Sequence, residues 1–511
     1  RPRLDPPLGG RSSALPQVID HEAVRPVSRR DRRTRTLARH GPCCSPRLMR
    51  RAVISLCLAL TVVAAWQSPA AAHGQGHGEL PLERWQILYA AAAIVVVTWL
   101  AGRGRVPRPV SAAAPVGRLL PTWVDRGASA AGMVLRVVGV VLWAVALTAA
   151  WFGTDNARDN LTPALVYVVL WAGLPVLSAA LGDVWRALSP FDSLAAVAQR
   201  VRRVGGRDDR PRPAPGTGLP ALLWSHWPAA AGAFGFTWLE LCYHRPDEPR
   251  VLAVAITGYS VVVLAIAAAQ GRDWLRAAEP FAVLFGLFAA LAPFFRDDEG
   301  RLRARVPLSG LARLRLQRGT AAVLCVLLAS AGFDGVRSTD WWRELVEDRV
   351  GWGRTVVNTA GLLVVLAIVA AAVLAVGTIT AHRTQQRLDG AASWLTPTLI
   401  VVALGYGVAR YFTFFAVEVQ SVVANISDPY GEGWDLFGTA GNVIDLDIVP
   451  GTTAAWVLVS AVVLSHVAAL WVAPRLEVTH GGIGGDGTRD ARAPLATALV
   501  ASAVVGLALL S

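Results

Sequence analysis

Long apolar runs separated by short polar connections dominate the chain, with neither the strict alternation of a half-buried strand nor the charged stripe of a soluble amphipathic helix. A membrane helix needs roughly 20 mainly apolar residues. Runs of that kind lie near 85–101, 128–151, 163–182, 220–243, 251–270, 319–336, 355–380, 393–418, 453–472 and 494–511. Tryptophans edge several of them, for example Trp85 and Trp99 on the first and Trp456 and Trp471 on the ninth, as expected of indole rings at the membrane–water boundary. An eleventh apolar run, 278–295, is short and carries Pro280 and Pro293. The pattern predicts an all-α fold: a polytopic transmembrane helix bundle of about ten spans plus one re-entrant or interfacial segment. The lipid bilayer is its first partner.

Composition sharpens this picture. Of 511 residues, 54% are apolar and only 17% charged, against about 25% charged in a soluble domain. An ordinary soluble enzyme is excluded, and the motifs that would argue for one are absent: no His-Glu-x-x-His, Cys-x-x-Cys, phosphate loop or Gly-x-Ser-x-Gly occurs. All 49 basic side chains are arginine, which points to a strongly GC-biased bacterial genome. Cys242 and Cys325 are the only cysteines beyond residue 72, both within apolar runs, so no disulfide framework is expected.

Residues 1–48 carry 11 Arg against four acids and show no helical or strand period. They predict a basic disordered leader that is not part of the native protein, because Arg1 is no initiator and Met49 opens a complete signal peptide. Met49-Arg50-Arg51 is followed by the apolar stretch 52–66 and by Ser68-Pro69-Ala70-Ala71-Ala72. The expected domains are therefore the leader 1–48, a signal peptide 49–72, and a single multi-pass domain 73–511 that begins outside the bacterial plasma membrane.

Arginine position then sets the topology. If 278–295 does not cross, the inner connections hold 26 Arg and the outer ones 8; if it does cross, the split becomes 18 to 16. Positive connections stay cytoplasmic, so 278–295 is expected to enter and leave on one side. The basic inner loops, Arg200–Arg212 above all, suit anionic lipid headgroups. No aromatic or base-reading pattern accompanies them, so nucleic acid is not an expected partner.

Polar residues within or beside apolar spans are the candidates for chemistry, since a charge in the bilayer is costly. Asp155 and Asp159 lie in an Asp/Asn-rich connection before Thr162-Pro163, which reads as a helix N-cap and first turn. Glu240 and His244 are four apart and would share a helix face, as an acid–base pair or metal ligands. Asp334 closes the sixth span and Glu418 lies late in the eighth. Arg410 is deep in that eighth span and calls for an acidic partner, Glu240 or Asp334. His466 reads as a helix–helix contact. Asp155, Glu240, His244, Asp334 and Glu418 all fall near outer helix ends, and a shared polar vestibule is expected for at least three of them. His73 and His77, beside a free amine if the signal is removed, offer a metal-binding tail; a divalent metal there or at Asp155 and Asp159 is the expected cofactor class.

Several of these residues carry a resemblance. Glu79-Leu80-Pro81, Asp155 to Pro163, Gly182-Asp183-Val184-Trp185-Arg186, Trp238-x-Glu240-Leu241, Phe333-Asp334-Gly335, Tyr411-Phe412, Glu418-x-Gln420, Asp428-Pro429 and Trp434-Asp435-Leu436-Phe437-Gly438-Thr439 occur in the order that resembles the fenitrothion hydrolase-like multi-pass membrane proteins of bacteria. The similarity runs from about His73 to Ser511. Arg410 departs from the family pattern, which has histidine before Tyr-Phe. The resemblance implies hydrolysis of a small organophosphorus ester; for such a reaction at an outward-facing site, the polar residues read above, Glu240, His244, Asp334, Glu418 and Arg410, are the candidate machinery. The deep charges and the re-entrant run suit a small-solute or metal permease equally.

Overall fold

The computed structural model describes residues 83–102, 117–204, 218–479 and 492–510. The leader 1–48, the signal segment 49–72, and both His73 and His77 lie outside them. The described chain is an all-α bundle: α1 Arg84–Gly102, α2 Thr122–Phe152, α3 Leu161–Leu181, α4 Trp185–Leu188, α5 Pro190–Val204, α6 Gly218–Leu223, α7 Trp227–Leu241, α8 Pro249–Gln270, α9 Arg272–Ala277, α10 Pro280–Ala289, α11 Thr320–Ser338, α12 Asp340–Glu347, α13 Trp352–Thr384, α14 Leu388–Asn425, α15 Gly451–Thr479 and α16 Ala493–Leu510. Among the described residues nine helices (α1, α2, α3, α8, α11, α13, α14, α15 and α16) are long and apolar enough to cross a membrane. The protein is a multi-pass membrane protein.

The tenth expected span, 220–243, is not one helix. Ser225 and His226 separate α6 from α7, and Pro228 in the first turn of α7 cannot continue a helix from its N-terminal side. The break is anchored: the His226 backbone N–H donates to the Arg318 carbonyl (2.9 Å), and Nδ1 lies 2.8 Å from the Thr320 hydroxyl. Gly319, at φ 93°, passes so close that a side chain there would run into His226. At 15 residues, α7 spans about 22 Å, less than the roughly 30 Å hydrocarbon layer.

Hydrogen bonds sort the connections into two ends. At one end, β1 Arg118–Leu119, β2 Phe294–Arg296 and β3 Leu302–Ala304 form a small antiparallel sheet in the order β1-β3-β2. Apolar periodicity gave no hint of it. It ties the connection before α2 to the one after α10, while Arg272 after α8 pairs with Asp192 of α5. At the opposite end, Thr154 and Leu161 donate their backbone N–H groups to the Tyr430 and Pro429 carbonyls, and Arg250 pairs with Asp155. The chain thus enters and leaves α10 at the same, arginine-rich end. α10 is buried among other helices, with Phe285 fully enclosed, so protein shields its polar backbone termini as a non-crossing segment requires.

Glu279 begins that segment. Its carboxylate accepts the Phe281 and Ala282 backbone N–H groups (3.0 and 2.7 Å), the Trp185 indole N–H (3.0 Å) and the Tyr259 hydroxyl. Four donors thus compensate a buried carboxylate, with Pro280 in the first turn. The sequence expectation for α3 needs correction: its N-cap is Asn160, whose side chain accepts from the Thr162 N–H (2.9 Å), while Thr162 donates its hydroxyl to the Ala146 carbonyl. Farther along the chain, α14 and α15 pack closely because Gly405 has no side chain; a Cβ there would enter Ser465.

Candidate functional site

Arg410 on α14 is a buried charge, with its side chain 7% exposed. α7 and α11 each bring one carboxylate to it. Arg410 Nη2 lies 3.0 Å from Glu240 Oε1, and Nε lies 2.9 Å from Asp334 Oδ2. The next residue on α14, Tyr411, donates its hydroxyl to the same Glu240 Oε1 at 2.7 Å, and the guanidinium sits 4.5 Å from the Tyr411 ring centroid. Asp334 is one-third exposed and faces the mouth of the cluster, whereas Glu240, at 13%, is its floor. Two buried polar atoms remain without partners: Glu240 Oε2 and Arg410 Nη1.

A ten-residue stretch of wider π-helical winding, Ala164–Gly173 within α3, supplies the fifth member. Such winding is rare and often marks functional positions. Here it presents Trp171, whose indole N–H donates to the Tyr411 oxygen at 2.7 Å and whose ring stacks on Phe236 at 4.2 Å between centroids. Trp171 also borders two cavities. One, of about 50 Å³, is lined by Leu284, Ser330, Gly407, Arg410 and Tyr411. The other, of about 370 Å³, is almost wholly apolar and runs between α2, α3, α7, α8 and α10, past Leu142, Phe236, Tyr259 and Phe281. A hydrogen-bonded chain from carboxylate to phenol to indole therefore links the ion cluster to the wall of an apolar chamber.

The remaining candidates stand apart. His244 lies beyond the end of α7 at Leu241, so the helical spacing expected to pair it with Glu240 does not exist; its Nδ1 lies 3.1 Å from the Thr355 hydroxyl. Glu418 keeps to its own helix, 3.4 Å from the Ser421 hydroxyl. Asp155 is exposed and pairs with Arg250 at 3.2 Å, and Asp159 accepts from the Asn156 amide at 2.5 Å. Glu240 and Asp334 thus converge on Arg410, while the other acids have separate partners. Among the described residues no group of three or more His, Cys, Asp or Glu side chains could hold a metal. The cluster itself does not fit one, since the guanidinium between its two carboxylates repels a cation. His466 bridges helices: Nδ1 lies 2.7 Å from the Val462 carbonyl and Nε2 lies 3.2 Å from the Ser502 hydroxyl of α16.

Sequence reasoning did not single out Trp171, Tyr411 as a hydrogen-bond donor to Glu240, or Glu279. The Glu-Pro pair opening α10 was a legible helix start, obscured because glutamate is an unusual cap. Nothing local could announce Trp171, whose role depends on a residue 240 positions away. No family model matches the chain, and neither a curated protein nor a solved structure does.

Proposed function

We propose that the protein is a permease of a bacterial plasma membrane, with its arginine-rich end cytoplasmic, that couples movement of a small apolar solute to protonation of Glu240. One observation carries the reading: Glu240 Oε1 takes both the Arg410 and Tyr411 donors, leaving Oε2 buried and free to receive a proton. Two carboxylates meet one guanidinium in the cluster, so its direct ion pairs leave one negative charge in excess. Arg337, one turn along α11, acts on Glu240 only through space. A proton on Glu240 weakens its hold on Arg410 and Tyr411. Tyr411 is bonded to Trp171, so the change reaches the wall of the 370 Å³ chamber, where the solute would lie. Deep charges that pair with one another are characteristic of proton relays and substrate paths in membranes.

Hydrolysis of a phosphotriester, implied by the family resemblance, is the second reading. In its favour, Glu240, Asp334 and Tyr411 all come from the resembling motifs and meet at one point, and Glu240 Oε2 is an acceptor that could take a proton from water. A dialkyl nitrophenyl phosphotriester separates the two. Proteoliposomes of the full chain are expected to take up the intact compound with movement of protons, and Glu240→Gln to abolish that coupling. Release of nitrophenolate that depends on Glu240 would establish hydrolysis instead.

A further inference from the structure

A wide cleft of about 1380 Å³ opens at the arginine-rich end between α2, the 182–187 turn, α5, α9 and β2. Six arginines line it against three aspartates. Four of these nine charges are engaged in ion pairs; among the acids, Asp183 accepts the Arg186 backbone N–H, and Asp298 has no ion pair among the described residues. Arg272 and Arg276 pair with Asp192, Arg296 pairs with Asp125, and Asp297 binds Arg301 and Arg303. Arg136, Arg186 and Arg200 line the same cleft with no ion pair or side-chain hydrogen bond among the described residues. They come from three separate elements, α2, α4 and α5, so the fold and not a local charge run brings them together.

The cleft has a second character. Its α2 wall is apolar and exposed: Met133, Val137 and Val141 are each more than half exposed, and Leu181 at the end of α3 joins them. Cationic groups at the head and an apolar strip leading towards the membrane layer match the two parts of one amphiphile. We propose that this cleft binds an anionic phospholipid, with its headgroup phosphate held by Arg136, Arg186 and Arg200 and its acyl chains laid along Met133, Val137 and Val141. Arginine offers a planar pair of donors that matches two phosphate oxygens at once, and several such groups around one phosphate discriminate against zwitterionic lipid, whose own ammonium competes. A soluble phosphate ester would use the same arginines but would leave the apolar strip uncovered, so the strip favours the lipid source.

The test uses the full chain in phosphatidylcholine nanodiscs titrated with phosphatidylglycerol, with retained lipid counted by native mass spectrometry. The expected result is a preference for phosphatidylglycerol that falls at least about tenfold in R136Q/R186Q/R200Q, given the roughly 1 kcal/mol that each arginine contributes near an anionic lipid. R315Q, which removes a charge at an exposed position outside the cleft, is expected to retain the preference. The surface pair R186Q/R200Q repeats the measurement if the triple variant does not fold. Equal phosphatidylglycerol retention in wild type and variants overturns the site, as does an equal loss in R315Q, which would signify diffuse surface charge. Displacement of the lipid by millimolar glycerol phosphate overturns the lipid source in favour of a soluble anion.

Discussion

Arg410 illustrates how a charge survives in an apolar layer. Its guanidinium would cost several kcal/mol unpaired, and two carboxylates from different helices hold it. Replacing Arg410 with methionine leaves Glu240 and Asp334 facing each other without a cation, and breaking a buried pair from one side costs about 3–5 kcal/mol. Arg410→Met should therefore depress the thermal midpoint strongly. Glu240→Gln should depress it far less, because Asp334 still pairs with Arg410 and the amide oxygen still accepts from Tyr411. Calorimetry of the two variants and of E240Q/D334N/R410M decides; a triple variant weaker than R410M would contradict the pairing. Outside the membrane, Asp297 shows the opposite economy. Hydrogen bonding from Arg303 at 2.7 Å, aided by the Arg301 backbone N–H, lowers its pKa from the ordinary 3.8 to about 2. A carboxylate lowered in the folded state contributes stability that is complete above 3.8 and lost as pH falls towards 2. The difference in midpoint between wild type and Asp297→Asn should therefore shrink across that window and be constant above pH 5 or so.

At the scale of the element, α10 depends on a single carboxylate. Both Glu279 oxygens accept two donors each: Oε1 takes the Tyr259 hydroxyl and the Phe281 N–H, and Oε2 takes the Trp185 and Ala282 N–H groups. A glutamine has one acceptor oxygen, so its NH₂ would face either the Trp185 and Ala282 N–H donors or the Phe281 N–H beside the Tyr259 hydroxyl. Glu279→Gln is expected to cost about 1–3 kcal/mol and to loosen the 271–318 connection. Limited proteolysis should then cut within 296–318 faster than in wild type, and an unchanged cutting rate would show that the apolar packing of α10 suffices without its cap. The π-helical stretch in α3 offers a single donor to the charge cluster, Trp171. Trp171→Phe keeps the stack on Phe236 but removes the donor to Tyr411, so it should leave the fold intact while altering the pH dependence of any Glu240-coupled transport.

Across the whole molecule, the two ends differ in kind. One gathers the sheet, the arginine cleft and the paired loops around Asp192 and Asp297; the other gathers acidic and aromatic loops around Asp155 and Tyr430. With positive connections cytoplasmic, a cysteine introduced at Ser309 should resist an impermeant thiol reagent in intact cells and one at Asp348 should react. Among the described residues the native thiols, Cys242 and Cys325, are buried. Reaction at Ser309 from outside would invert the proposed orientation while leaving the relative placement of the loops untouched.

The spans were legible because each is a local property: twenty apolar residues must hide their backbone in helix, whatever surrounds them. Arginine counting likewise placed 278–295 as non-crossing, since it sums charges along the chain and needs no contact; the β1–β3 pairing and the buried α10 agree with it. The same local logic anticipated that Arg410 needs an acid and named Glu240 and Asp334, though not that it takes both. It failed at 220–243, where hydropathy averaged over a break that Pro228 and the anchoring of His226 impose. It failed again for His244, because helical spacing was assumed past Leu241, where the helix ends. Tertiary structure alone decided that Trp171 reaches Tyr411, that Glu279 gathers donors from α4 and α8, and that three arginines from separate elements share a cleft. Hydropathy is set by each residue's own transfer from water, whereas these meetings depend on how helices distant in sequence are placed side by side.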